Sequence, residues 1–403
     1  MSKGYNIVLA GFYNPFILIT LSLLSAVVFL WDSSNYKFYS FIFTPYILYL
    51  IVYLFLNRIK FVNRRVIIPD NVQKICMLFI FFGIMINLSL LYQIYKLYGD
   101  AYNIFHYGGS TFYTQSIQEK SLQYINILAK FNYIAPNFLI PLIFKFEKRF
   151  LFVIMPFLIL QGAFAVLYGT RIVIMTTILT ILIAYTYRIK IDLKNATLIF
   201  ATLLLVGVAV ISGQSIRQNV SFGSGLTEVK RYYSTSLNNG SSVIENNLIT
   251  QKLFWTLRPV LSIPFLPKAT GFINMYEKLF GKLQIRNRKE DFSYAAKLGF
   301  DPAYNTFSSF GYAYLDLGRG GIFLLLLGWL TIQYIYIRAR SGQILYLIIF
   351  PAFYISMLDQ LRTYWFFSES NMYSLLSGIF ILSLIKLASL HSKNKIYDQE
   401  KDI

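Results

Sequence analysis

Ten apolar stretches, each long enough or nearly long enough to cross a bilayer, divide this chain, and that pattern leaves few architectures open to it. A hydrocarbon layer about 30 Å thick takes roughly 20 apolar residues as a helix, which satisfies its backbone N–H and C=O groups within its own segment. Phe79 to Tyr95, Ile172 to Tyr187 and Ile322 to Ile337 approach that length without a single charge. The stretches lie at about 12–31, 41–57, 75–98, 124–144, 150–168, 172–187, 195–212, 314–337, 343–361 and 371–390. The expected fold is all-α, a polytopic transmembrane bundle of about ten spans.

One polar interval is far longer than any other gap. It divides the chain into spans 1–7 (1–212), a large extracytoplasmic loop (213–306), spans 8–10 (307–390) and a cytoplasmic tail (391–403). Within the loop, Gly and Ser gather at Ser221 to Gly225 and Asn238 to Ser242, and Ile249 to Leu257 and Phe272 to Leu283 carry apolar residues at helical spacing. Such amphipathic stretches suit the surface of a bilayer.

Charge fixes the expected orientation. The formal net charge of +19 would suggest nucleic acid in a soluble protein, but with 56% hydrophobic and 14% charged residues this chain has too little polar surface for water to be its main solvent. The basic residues crowd alternate short loops: Arg58, Lys60, Arg64 and Arg65, then Lys145, Lys148 and Arg149, then Arg188, Lys190 and Lys194, then Arg338 and Arg340. By the positive-inside rule these face the cytoplasm, which places both termini there and the polar loop outside. Nothing near Met1 to Ala10 resembles a cleavage site, so the first helix is expected to be retained.

Cys76, the only cysteine, lies in an apolar run and reads as core packing. His106 and His391 fall in a loop and in the tail, and there is no HExxH, P-loop or GxSxG pattern, so metal-independent chemistry without a cofactor is expected. Ionisable residues instead collect at the outer edge. Arg171 sits in Tyr168-Gly169-Thr170-Arg171 between two closely spaced spans, and Arg217 follows the seventh span by little more than a helical turn. Arg258, ahead of Pro259, and Arg231 are weaker candidates of the same type. Lys130, Asp359 and Arg362 reach similar depth, and Asp316 and Arg319 are expected on one helix face at the start of the eighth span. Charge beside a span is costly enough to mark a site, and guanidinium forks grip phosphate in bidentate fashion without losing their charge.

The run Tyr304-Asn305-Thr306-Phe307, then Tyr314-Leu315-Asp316-Leu317-Gly318 and Gly320-Gly321 entering an apolar helix, resembles bacterial oligosaccharide repeat-unit polymerases, the Wzy-type O-antigen and capsule polymerases. The many spans, the late outer loop, the Gly169-Thr170-Arg171 after a middle span and Arg217 opening the loop are similar to that family as well. Related O-antigen ligases place a His-Asn pair where this chain has Tyr304-Asn305, which counts against a ligase and leaves the proton acceptor unassigned.

The resemblance implies glycosyl transfer at the outer face of a bacterial inner membrane. A growing glycan would leave polyprenyl pyrophosphate for a hydroxyl of the next lipid-linked unit, with membrane lipids as surroundings, room for a chain-length regulator and no role for nucleic acid. Arg171 and Arg217 would then hold the leaving pyrophosphate with Arg258 helping, Arg231 and Arg319 would contact substrate, and Tyr304, Asn305 and Asp316 would orient the acceptor, Asp316 lying near the reacting hydroxyl. A flippase or exporter of lipid-linked glycan is the rival reading, and it would require polar residues along a path through the bilayer.

Overall fold

The computed structural model describes residues 13–30, 36–56, 66, 68–98, 127–144, 150–167, 171–187, 221–249, 252–261, 263, 266–282, 299–300 and 306–401, with scattered positions between 197 and 215. Every regular element among them is a helix. The first six are α1 (Pro15–Phe29), α2 (Tyr36–Leu56), α3 (Asp70–Tyr98), α4 (Phe131–Phe144), α5 (Leu151–Leu167) and α6 (Arg171–Thr186). The polar interval holds α7 (Phe222–Glu245), α8 (Phe254–Leu261), α9 (Leu266–Ala269) and α10 (Phe272–Phe280). The chain closes with α11 (Ser308–Leu317), α12 (Gly321–Arg340), α13 (Ile344–Leu358) and α14 (Glu369–Lys401).

Five helical stretches are long and apolar enough to cross a membrane: Tyr36–Leu56, Asp70–Lys96, Ile127–Phe144, Ser308–Arg340 and Glu369–Ser389. Pro15–Phe29, Leu151–Ala165, Val173–Thr186 and Ile344–Leu358 are apolar but shorter, and the stretch at 195–212 falls largely outside the described residues. The surface fits a lipid solvent. Phe152, Val28 and Phe323 are 83%, 75% and 70% exposed, whereas Asn87, Asn132, Asn137, Gln161 and Gln333 are buried.

Side chains of that kind hold apolar helices together, because hydrocarbon offers them no other partner. Asn87 Nδ2 donates to Asn132 Oδ1 at 3.1 Å and Asn132 Nδ2 returns a bond to Asn87 Oδ1 at 3.0 Å, joining α3 to α4. Asn137 Nδ2 donates to the hydroxyls of Ser374 and Ser377 on α14 at 2.8 and 2.6 Å, and Tyr49 OH donates to Gln333 Oε1 across α2 and α12 at 3.0 Å. Sequence reading passed over these amides, since none carries a charge.

Helices α12 and α13 pack side by side at the centre. α1 and α2 flank α12, α6 and α14 flank α13, and α4 with α3 and α5 closes the far side. Cys76 is buried in α3, as a packing residue would be.

The polar interval is bound to this bundle rather than hanging from it. Helix α7 lies along α11 and also touches α2. Its second Gly and Ser patch forms the contact: a methyl group on Gly240 would stand 2.4 Å from Ser308 Oγ and 2.5 Å from the Phe307 carbonyl oxygen. Gly311 answers from α11, where an added Cβ would lie 2.6 Å from Gly240 Cα. At the far end of α7, Glu245 receives the Phe38 N–H at 2.8 Å on Oε1, placing a carboxylate against the N-terminal turn of α2, where the helix dipole favours it. Gly240→Ala is therefore expected to cost about 1–3 kcal/mol through overpacking. Gly223→Ala, on the same helix with nothing within 4 Å of its Cβ position, is expected to be neutral or slightly stabilising. Thermal melts of the two variants in detergent that shifted equally would refute this close contact.

The segment expected to open an eighth span departs from that expectation. α11 ends at Gly318, whose φ of 56° and ψ of −133° are conformations that residues with a Cβ avoid, and a 3₁₀ turn over Gly318–Gly320 precedes α12. The bend parts the two charges expected on one face: Asp316 is fully buried and Arg319 is exposed. Their sequence spacing assumed an unbroken helix, and Gly318 breaks it.

Candidate functional site

A cavity of about 300 Å³ opens where the polar segment meets one end of the bundle. Helix α8 contributes Trp255, Arg258 and Pro259, and α11 contributes Tyr312. The end of α13 and the turn after it supply Ser356, Asp359, Arg362, Tyr364, Trp365 and Phe367. Glu369 comes from the first turn of α14, Tyr133 from α4 and Thr176 from α6. Five segments of the chain, distant in sequence, thus share one wall.

Two local devices build it. The first is Asp316, whose Oδ1 accepts the Trp255 N–H at 2.8 Å while Oδ2 accepts the Thr256 N–H at 2.7 Å and its hydroxyl at 2.6 Å. A carboxylate so placed satisfies otherwise orphaned donors at the start of α8 and complements its dipole. It anchors the helix that carries Trp255 and Arg258. The structure thus puts Asp316 behind the cavity wall, not on it, because these donors already occupy both carboxylate oxygens.

The second device is the turn between α13 and α14. Ser309 N donates to the Gln360 carbonyl at 2.8 Å, Trp365 N donates to Ser309 Oγ at 3.3 Å, and Asn371 Nδ2 donates to the Trp365 carbonyl at 2.7 Å. These bonds fix an aromatic surface: Tyr312 stacks on Tyr364 with ring centroids 5.9 Å apart, and Trp255 lies 4.8 Å from Tyr312. Burial and the nearby Asp316 carboxylate push the Tyr364 phenol well above its ordinary pKa, so it stays protonated.

Charge on the wall is arranged in pairs. Arg362 makes a fork to Asp359, with Nε 2.9 Å from Oδ1 and 3.0 Å from Oδ2, and its guanidinium lies over the Tyr232 ring at 5.3 Å. Burial works against that cation, but Asp359 outweighs it and raises the Arg362 pKa further, so its charge is permanent. Tyr233 OH donates to Asp359 Oδ1 at 2.9 Å, and burial followed by the Asp359 charge raises its pKa. At the other rim Lys130 Nζ stands 3.5 Å from Glu369 Oε2. Arg258 is half-buried with its guanidinium 5.1 Å from the Trp255 ring centroid. Among the described residues the lining holds two cations, Arg258 and Arg362, and two carboxylates, Asp359 and Glu369, while Lys130 stands beside the lining against Glu369.

The residues singled out from sequence fare unequally. Arg258 lies on the wall. Arg231 does not: it is 61% exposed and faces Glu228 at 3.8 Å on its own helix. Arg319 is exposed at the bend before α12. The backbone of Arg171 opens α6 about one and a half turns before Thr176, and its side chain lies outside the described residues. Arg217, Tyr304 and Asn305 also lie outside them. Missed altogether were Glu369 and the aromatic residues Tyr364, Trp365 and Phe367, although an Asp359-Gln360-Leu361-Arg362-Thr363-Tyr364-Trp365 run ending a span combines paired charges with ring anchors and was a readable signal.

No protein-family model matches this chain, and neither a curated protein nor a solved structure does.

Proposed function

We propose that this protein polymerises lipid-linked oligosaccharide units, transferring the growing glycan from polyprenyl pyrophosphate to a hydroxyl of the next lipid-linked unit. The observation that carries the reading is the cavity wall itself, where stacked aromatic rings adjoin the guanidinium of Arg258 at the edge of an apolar bundle. Such a substrate has three chemically different parts. Its polyprenyl tail partitions into hydrocarbon, its pyrophosphate needs fixed cations at the interface, and its sugars present C–H faces to flat rings while their hydroxyls take hydrogen bonds. This end of the molecule offers a partner for each part.

In this reading the hydroxyl oxygen of the acceptor attacks the anomeric carbon, and the pyrophosphate departs with the bonding electrons. Negative charge grows on the leaving oxygen, and a preplaced guanidinium in a partly dry cavity stabilises it without reorganising. Arg258 serves that role, together with Arg171 and Arg217. The wall faces the outside of a bacterial inner membrane, with both termini inside. O-antigen and capsule are the glycans of this chemistry.

Export of a lipid-linked glycan would use the same recognition but needs a polar route across the bilayer. The buried amides Asn87, Asn132 and Asn137 are instead engaged with neighbouring helices. The deciding experiment supplies purified protein in detergent with one defined lipid-linked repeat unit and a chelator. A ladder of oligomers that remain on polyprenyl pyrophosphate is expected. Movement of labelled lipid between leaflets of a proteoliposome with no ladder would replace this reading with transport, and product transferred to another lipid would replace it with ligation.

A further inference from the structure

We infer that Glu369 is the proton acceptor of this reaction, an assignment that rests on the polymerase reading of the same cavity. Transfer to a hydroxyl releases a proton, and among the described residues two carboxylates line the cavity, Asp359 and Glu369. Asp359 is already committed. Its Oδ1 accepts from Tyr233 and from Arg362 Nε, and its Oδ2 accepts from both Arg362 nitrogens and from the Thr363 hydroxyl at 3.3 Å. A proton arriving there would displace a fork to a permanently charged neighbour. Asp316 holds α8 from behind the wall.

Glu369 is differently placed. It opens α14 in the first helical turn, and its side chain is 22% exposed on the cavity wall. Lys130 stands 3.5 Å away, and the same ammonium lies 5.6 Å from the ring centroid of Tyr373, one turn along α14. The ammonium is a point charge rather than a two-pronged fork, so it favours the ionised carboxylate without fixing which oxygen is used. The helix N-terminus adds a second positive field. The other charged or titratable groups on the shared wall are Arg258, Arg362, Asp359, Tyr133, Tyr312 and Tyr364.

In the step the acceptor oxygen forms its bond to the anomeric carbon. The bond from that carbon to the pyrophosphate oxygen breaks, its electron pair leaving on phosphate, and the hydroxyl proton passes to a Glu369 oxygen. Lys130 is a positioning residue, acting on the substrate only through Glu369.

The test uses the full-length protein in detergent with a synthetic polyprenyl-pyrophosphate-linked repeat unit, measuring ladder rate and lipid binding separately. Glu369→Gln is expected to lower the rate at least about 100-fold while lipid binding stays within about threefold, since general-base catalysis is worth roughly 10²–10⁴. Glu369→Asp keeps the charge with a shorter reach and is expected to bind lipid normally and turn over slowly, which covers the case of a poorly folded Gln variant. Lys130→Met removes the ammonium that positions Glu369 and is expected to lower kcat at least about tenfold while KM stays within about threefold. A Glu369→Gln enzyme retaining more than a tenth of the rate, an Asp variant as fast as wild type, or an unchanged kcat in Lys130→Met overturns the assignment while leaving the polymerase reading intact. A wild type that binds the lipid and builds no ladder overturns that reading and the assignment with it.

Discussion

Arg258→Ala is expected to slow ladder formation by about 10²–10³, the usual cost of deleting one preorganised group that stabilises developing negative charge. Arg258 stands half-buried on the wall beside Trp255, on a short helix whose start is clamped by Asp316, so its guanidinium is positioned before substrate arrives. Arg258→Lys keeps the charge but loses the planar fork that matches phosphate, and should recover only part of the rate. The guanidinium over the indole at this partly exposed site contributes about 0.5–1 kcal/mol to folding. The expected signature is a fall in turnover far larger than the fall in stability accounts for. Arg231→Ala serves as the internal comparison, since that residue is 61% exposed and away from the cavity. Its removal should leave the rate within about twofold, as surface i,i+3 pairs contribute little. An Arg258→Ala enzyme within threefold of wild type, or an Arg231→Ala enzyme equally impaired, removes Arg258 from the mechanism.

How much of this was legible in the sequence depends on which property carries the information. The apolar runs of α2, α3, α4, α12 and α14 declare themselves because a run of apolar residues needs no knowledge of its neighbours. Lys130, Asp359 and Arg362 were expected near one level; Asp359 and Arg362 line the cavity and Lys130 meets Glu369 at its edge. What a one-dimensional reading cannot supply is pairing. Asp316 and Arg319, three residues apart, were expected on one helix face, but the bend at Gly318 separates them. Asp316 reaches back sixty residues to Trp255 and Thr256, and Glu245 reaches Phe38 across more than two hundred. Helix α7 shows the opposite difficulty. Its Gly and Ser content reads as a polar segment, and only the approach of Gly311 to Gly240 reveals that those small residues form a packing face.

Asp316→Ala is expected to destabilise the protein more than any other single change at this end of the bundle. It removes the acceptor from two backbone N–H groups and one hydroxyl that are held away from solvent. Each orphaned buried donor costs roughly 1–3 kcal/mol, so the loss should reach about 3–5 kcal/mol, a range that single substitutions seldom exceed. Asp316→Asn is the more informative variant. Its amide oxygen can still accept one N–H, but its NH₂ group must face the other, so part of the clamp is replaced by a clash of donors. With α8 loosened, Trp255 and Arg258 lose their fixed positions, and lipid binding should weaken in step with the melting temperature. That parallel loss separates positioning from chemistry. If Asp316→Asn melted like wild type and bound lipid normally yet formed no ladder, the carboxylate would have to act on the reacting sugar itself, and its place behind the wall would no longer describe what it does during turnover.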